Sequence, residues 1–389
     1  MYGGIQMKRI YFDHAATTPV DAKVMDAMMP YFSHKFGNAS SIHQDGQEAK
    51  EALLDSREII ARKMNADPKR IIFTSGGTES NNLALKGIAF ANRDCGKHII
   101  TSKIEHDCVL NSSRWLERQG FKVTYLPVDK HGIVNPDDVA SAITKETILV
   151  SVMHANNEIG TIEPIKEIGK LCREKGVYFH TDACQSFTKV PMDVKKQNLD
   201  LVTINAHKIC GPKGVGALYI NEGVKIDALQ HGGGHERNLR SGTENIPGIV
   251  GFAKSVEIAN EKNIAHMTKI RDMLIKRVLS DIPDTRLNGH PKERLCNNAH
   301  FSFKHIEGES LLLHMDADGV ACSTGSACSS HTLDPSHVLL AIGLLPQDAH
   351  GSLRLTVGKE NTTDEAGYAA DAMKKNVERL RKISPFGGS

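Results

Sequence analysis

The chain contains no C-x-x-C pair, although it has eight cysteines among 389 residues. Paired cysteines at that spacing build structural zinc sites and ordinary iron–sulfur sites, so neither has support here. Scattered cysteines in a chain this long make no disulfide framework, and a reducing cytoplasm is the expected compartment. Also missing is any apolar run near the roughly 20 residues that a membrane-spanning helix needs. The first residues, Met1 to Arg9, lack the apolar core of a secretory signal. Met1 and Met7 are both candidate starts, since the first expected strand follows Met7 directly. Charge of one sign is lacking too. The formal net charge is +2, which argues against a dedicated nucleic-acid binder. Basic residues gather only at Lys374, Lys375, Arg379, Arg381 and Lys382, where a solvated helix face is expected. No internal repeat or low-complexity linker interrupts the chain.

What is present is a globular composition, 40% hydrophobic and 24% charged. The length suits one large and one smaller unit. Short apolar runs alternate with longer helical patterns. Strands are expected at 71–75, 98–102, 122–126, 147–152, 177–181, 201–204 and 215–220, with helices at 80–91 and through Leu110 and Trp115. Near-continuous apolar strands separated by helices imply an α/β fold with a mostly parallel sheet covered on both faces. A long helical pattern over 247–279 looks like a bridge to a smaller α+β unit. That unit has expected strands at 299–303 and 352–357 and helices at 309–315 and 363–381. The expected division is a large unit over 16–262 and a small one made of 1–15 with 263–389.

One segment places an acid at the end of an apolar strand, His180-Thr-Asp182-Ala-Cys184-Gln185. A second, Ala206-His207-Lys208-Ile-Cys-Gly211, sets a lysine just before a glycine-rich turn. Pyridoxal 5'-phosphate needs this pair. The amine forms a Schiff base with the aldehyde, and the carboxylate keeps the pyridine nitrogen protonated so that the ring accepts electrons. Ser75-Gly76-Gly77-Thr78-Glu79-Ser80 joins a strand to a helix and is either a plain capped turn or a phosphate cradle. His106 follows a strand, at a position suited to stacking on a cofactor ring and moving protons. Asn157 makes either an Asx turn or a contact to cofactor or substrate. Thr78, His106, Asn157, Asp182 and His207 all follow expected strands, at the edge where parallel sheets bind ligands.

Three further motifs lie downstream. The glycine-rich, cationic stretch from His231 to Thr243 is either an anion-wrapping loop or a flexible surface loop. Arg354 can clamp a carboxylate bidentately or make a surface salt bridge. Cys328, in Ser323-Thr324-Gly325-Ser326-Ala327-Cys328, sits among small hydroxylated residues at about 322–335, where a mobile, accessible thiol is expected. Lysine, aspartate and a loop cysteine together suggest sulfur chemistry on an amino acid.

In their order along the chain these motifs resemble the NifS/IscS-like cysteine desulfurases. The resemblance runs from Tyr11 to Thr363 and includes Tyr11-Phe-Asp-His-Ala-Ala-Thr17-Thr18-Pro19 and His154-Ala-Asn-Asn157-Glu-Ile-Gly160. It implies a fold-type I pyridoxal phosphate transferase acting as a homodimer. Lys208 would carry the cofactor, Asp182 would pair with the ring nitrogen, Gln185 would bond the ring oxygen and His106 would stack. Gly77, Thr78 and His207 would hold the phosphate, with Thr243 reaching in from the neighbouring subunit. Asn205 stands where the family commonly has serine, a bulkier phosphate contact, and Ala39 stands where proline is frequent. Asn157 and Arg354 would bind the substrate carboxylate.

The activity implied is removal of sulfur from L-cysteine, giving L-alanine and a Cys328 persulfide. An iron–sulfur scaffold protein of the IscU type, or another sulfur acceptor, would receive the sulfur. Cys328 would help ligate a nascent [2Fe-2S] cluster there. Two other readings are a selenocysteine lyase and a non-enzymatic iron–sulfur scaffold. The lysine–aspartate pair and the absence of C-x-x-C oppose the second.

Overall fold

The computed structural model describes residues 9–324 and 335–383. Among them the strands are β1 (Ile10–Tyr11), β2 (Ile71–Thr74), β3 (His98–Ser102), β4 (Lys122–Leu126), β5 (Thr147–Ser151) and β6 (Tyr178–Asp182). They continue with β7 (Leu201–Asn205), β8 (Gly216–Ile220), β9 (Thr285–Leu287), β10 (Asn298–Phe303), β11 (Val320–Ala321) and β12 (Ser352–Thr356).

Seven strands form the main sheet, in the order β2-β8-β7-β6-β5-β3-β4. β7, β6, β5, β3 and β4 run parallel. β8 alone is antiparallel to both of its neighbours. Runs such as Ile71-Ile-Phe-Thr74 and Leu201-Val-Thr-Ile204 are buried throughout, as a sheet covered by helices on both faces requires. The parallel strands therefore end on one edge, and the loops leaving that edge meet.

The continuous helix pattern over 247–279 proves to be two helices, Ile246–Ile258 and Glu261–Asp281. Ala259 leaves the helical region at φ −68°, ψ 128°. Asn260 is extended, and its side chain accepts the Asn263 N–H at 3.0 Å. Apolar spacing carries across such a break because it records which face is buried, whereas a capping asparagine stops the backbone locally.

A second sheet, β12-β10-β9, is antiparallel, and β1 pairs with β11. One apolar cluster takes Ile10 and Phe12 together with residues from Met267 to Leu380. Two others, built on the faces of the main sheet, draw on residues between Ala39 and Val256. The basic residues near the C-terminus lie on the helix Thr363–Ile383 and face largely outward, as expected. No helix among the described residues is long and apolar enough to cross a membrane.

Candidate active site

A cavity opens at the carboxyl edge of the main sheet. Its walls come from the ends of different strands. Gly77 and Thr78 follow β2, His106 follows β3 and Asn157 follows β5. Asp182 ends β6, with Gln185 just beyond, and Asn205 ends β7, with His207 and Lys208 just beyond. Nine of the residues singled out in the sequence thus line one space, because parallel strands deliver their ends to one edge.

Asp182 is nearly buried at 7% exposure. Its Oδ2 accepts from Asn81 Nδ2 at 2.6 Å and its Oδ1 accepts the Cys184 N–H at 2.9 Å. Two fixed donors to a carboxylate hold it in one orientation. Burial, reinforced by Asp182 beside it, pushes the Cys184 thiol well above its ordinary range. Cys184 is thus a neutral space-filling group. It touches the floor of the turn after β2: a Cβ on Gly77 would meet its Sγ at 2.6 Å.

That turn starts the helix Gly77–Ala91, whose cap is Gly76 and not Thr78. Gly76 has φ 154° and no side-chain cap, so the first N–H groups of a 15-residue helix open onto the cavity edge. Burial works against the Glu79 charge. Hydrogen bonds from Arg240 Nε at 2.9 Å and from the Ser75 N–H at 2.8 Å outweigh it and keep its carboxyl below the usual range. Asn205 Oδ1, buried at the cavity wall, has no partner among the described residues.

Lys208 Nζ donates to the carbonyls of Ala15 and Ala16, the latter at 2.8 Å. Gln185 Nε2 reaches the same Ala15 carbonyl at 3.0 Å. The segment after β1 therefore closes one side of the site. Burial, with Lys208, Lys213 and Lys189 adding to it, lowers His207 to about 4. It is neutral at physiological pH, and its Nδ1 lies 3.2 Å from Thr17 Oγ1.

His106 caps the helix Asp107–Arg118, its Nδ1 accepting the Cys108 N–H at 3.1 Å. Behind it Glu105 is fully enclosed, and burial raises its carboxyl to about 8. Its Oε1 accepts from Ser102 Oγ at 2.6 Å and from the Met153 N–H at 2.9 Å.

Arg354 is no surface residue, with 3% exposure. It does not line the cavity directly. Its Nη1 donates to the Asn157 carbonyl at 2.9 Å and its Nη2 to Asp13 Oδ1 at 3.0 Å. Its Nε, buried, has no partner among the described residues. Its backbone pairs with Ser323, where the segment toward Cys328 departs. At the segment's return, Ser336 Oγ donates to Glu158 Oε2 at 2.5 Å. Cys328 itself lies outside the described residues. Thr243 is exposed on its loop, away from this cavity within a single chain.

A family model described as Aminotransferase class-V matches residues 10–368. The chain belongs to the class-V aminotransferases. The cysteine desulfurase IscS of Methanosarcina thermophila is 54% identical to this family member over 97% of its chain and 94% of the relative's. That of Dictyoglomus turgidum is 53% identical, covering 98% of both chains. Among solved structures, a NifS-like protein superposes with a TM-score of 0.90 at 37% identity, over 96% of this chain and 100% of that one. The structure titled SspA in complex with cysteine gives a TM-score of 0.83 at 38% identity, over 91% and 100%.

Pyridoxal phosphate is the cofactor expected for a class-V aminotransferase. The cavity fits it: its lining includes an acid held by two donors, an open helix N-terminus and Lys208. Sequence reasoning missed Asn81 and Cys108. Asn81 had a signal, since it stands four residues after Gly77 on the same helix face. Cys108 stands two residues after His106, and only the cap geometry shows why that spacing matters.

Proposed function

We propose that this class-V aminotransferase is a cysteine desulfurase that removes sulfur from L-cysteine, releases L-alanine and leaves the sulfur on Cys328 as a persulfide. The observation that carries the reading is the gathering of Asp182, Lys208, His106 and the Gly77–Thr78 turn on one cavity, in a chain 54% identical to a cysteine desulfurase. Pyridoxal phosphate, when bound, supplies an aldehyde for Lys208 and an electron sink for the substrate. Asp182, oriented by Asn81, would pair with the ring nitrogen, Gln185 would bond the ring oxygen and His106 would stack on the ring face. Gly77, Thr78, Asn205 and His207 would hold the phosphate, with Thr243 supplied by a second copy in a homodimer. Asn157 and Arg354 receive the substrate carboxylate. Lys208 Nζ moves the α-proton and His106 takes part in proton transfer. In the net change the substrate's C–S bond breaks and an S–S bond forms on Cys328.

The sulfur then passes to an iron–sulfur scaffold protein or another acceptor. Cys328 lends a thiolate to a [2Fe-2S] cluster forming between the two. Apolar clusters confined to 39–256 and to Ile10, Phe12 with 267–380 support the division into a large unit, 16–262, and a small one of 1–15 with 263–389; a fourth, from Ile104 to Ala349, packs the two together. The described cysteines, all free of disulfides, support a cytoplasmic setting.

The deciding experiment measures alanine and sulfide from L-cysteine with added thiol, for the native chain and Cys328→Ser. Equal yields of both products from the native chain, lost in the variant, are expected. A variant as active as the native chain removes Cys328 as sulfur carrier. No alanine from the cofactor-loaded native chain overturns the reading and turns the search to selenocysteine.

A further inference from the structure

Asn81 and Cys108 join the two ends of the site in one hydrogen-bonded chain. Asn81 Nδ2 lies 2.6 Å from Asp182 Oδ2 and 3.1 Å from Cys108 Sγ. Cys108 Sγ lies 3.1 Å from His106 Nδ1, and the Cys108 backbone nitrogen lies 3.1 Å from the same ring atom. The proton positions follow from donor chemistry alone. A backbone N–H can only donate, so His106 Nδ1 is an acceptor. In the neutral ring the proton then sits on Nε2. With Nδ1 accepting, the thiol turns its S–H toward the ring, sharing the one Nδ1 lone pair with the backbone N–H, and leaves its own lone pairs to one Asn81 N–H. The other Asn81 N–H goes to the Asp182 carboxylate.

We propose that Cys108, backed by Asn81, is a positioning residue that fixes the Nε2–H tautomer of His106 and disfavours protonation at Nδ1. The proposal rests on the desulfurase reading only for its consequence: His106 enters turnover as a proton donor from Nε2. The tautomer itself is a property of this chain whatever its substrate.

Protonating Nδ1 must break the contact from the Cys108 N–H and turn the thiol's S–H away from the ring, leaving sulfur, a weak acceptor, in its place. Removing the thiol leaves only the backbone donor. The imidazole should then titrate higher, by about half to one pH unit, the size of one net hydrogen bond. Several groups face His106: Asp182, Lys208 and Cys184 across the cavity, Asp107 and Glu105 beside it, and Glu158 and His337 behind. A Cys108 substitution leaves all of them in place.

The test is nitrogen NMR of the cofactor-loaded full chain labelled in its histidines, with the His106 signals identified by their loss in His106→Gln. The expected native spectrum has an unprotonated Nδ1 and a protonated Nε2. Cys108→Ala should raise the His106 midpoint by about half to one unit, and Cys108→Ser, which keeps a donor, should restore it. A protonated Nδ1 in the neutral native ring overturns the proposal. So does a midpoint unmoved in Cys108→Ala, or one moved equally by both substitutions. None of these signals depends on alanine release, so failure of the desulfurase reading would be seen separately.

Discussion

Replacing Glu236 by glutamine should cost far more than a change at an exposed loop position, because this loop residue is buried. It lies in the glycine-rich stretch between His231 and Thr243, yet only 7% of it is exposed. Arg57 grips its carboxylate with both terminal nitrogens, at 2.6 and 2.8 Å, and the Phe73 N–H adds a third bond at 2.7 Å. The guanidinium also stacks 4.7 Å from the Phe73 ring centre and donates to the Ile71 carbonyl. These bonds hold three consecutive left-handed residues, Glu236, Arg237 and Asn238, at φ 44°, 59° and 65°. Such conformations cost of order 1–3 kcal/mol each in non-glycine residues and persist only where surroundings impose them. Glutamine keeps the Phe73 bond but leaves the Arg57 charge buried without a counter-charge, at about 3–5 kcal/mol. For a chain of this length that lowers the thermal midpoint by about 4–6 °C. The assay is calorimetric or circular-dichroism melting, with limited trypsin digestion after Arg237 and Arg240 as a local probe. Arg57→Met combined with Glu236→Gln removes both charges and should recover at least half of the loss. A single variant melting within about 1 °C of the native chain, with unchanged trypsin resistance, would refute the reasoning.

Two other predictions follow from the site. Gly77→Ala should weaken retention of pyridoxal phosphate, because its Cβ meets Cys184 Sγ at 2.6 Å. Adding Cys184→Ala should restore retention, and absorbance after gel filtration reads both. Glu105, raised to about 8 by burial, binds a proton in the folded chain that the unfolded chain has released above its ordinary range near 4.5. Its contribution is therefore present at low pH and lost as pH rises toward 8. Urea unfolding should show native stability falling relative to Glu105→Gln between pH 5 and about 8. An identical slope in the two chains would rule out this role for Glu105.

The sequence by itself determined the strand-end placement of the chemistry. Asp182, Lys208, His106, Asn157 and Thr78 each follow an apolar run. Runs buried on both faces make a parallel sheet, whose carboxyl ends share an edge. That logic needs no coordinates. The helices it named lie within a turn of those observed, except over 247–279, where a side-chain cap at Asn260 ended one helix and began another; it named none over Gln44–Lys63 or Ile165–Lys175.

Only the tertiary structure decided the partners. Arg354 could have been a surface residue on its local sequence; pairing of β12 with β10 buries it against Asn157 and Asp13. Glu236 reads as loop polarity until Arg57, far away in the chain, closes on it. Gly77 reads as phosphate access, yet its lack of a side chain is also required by Cys184 from another strand end. Asn81 and Cys108 carry no motif of their own, and acquire a role because two helix starts lie side by side and face Asp182. Periodicity records which face of an element is buried. Which atom lies opposite is a long-range fact, set when the sheet brings its strand ends together.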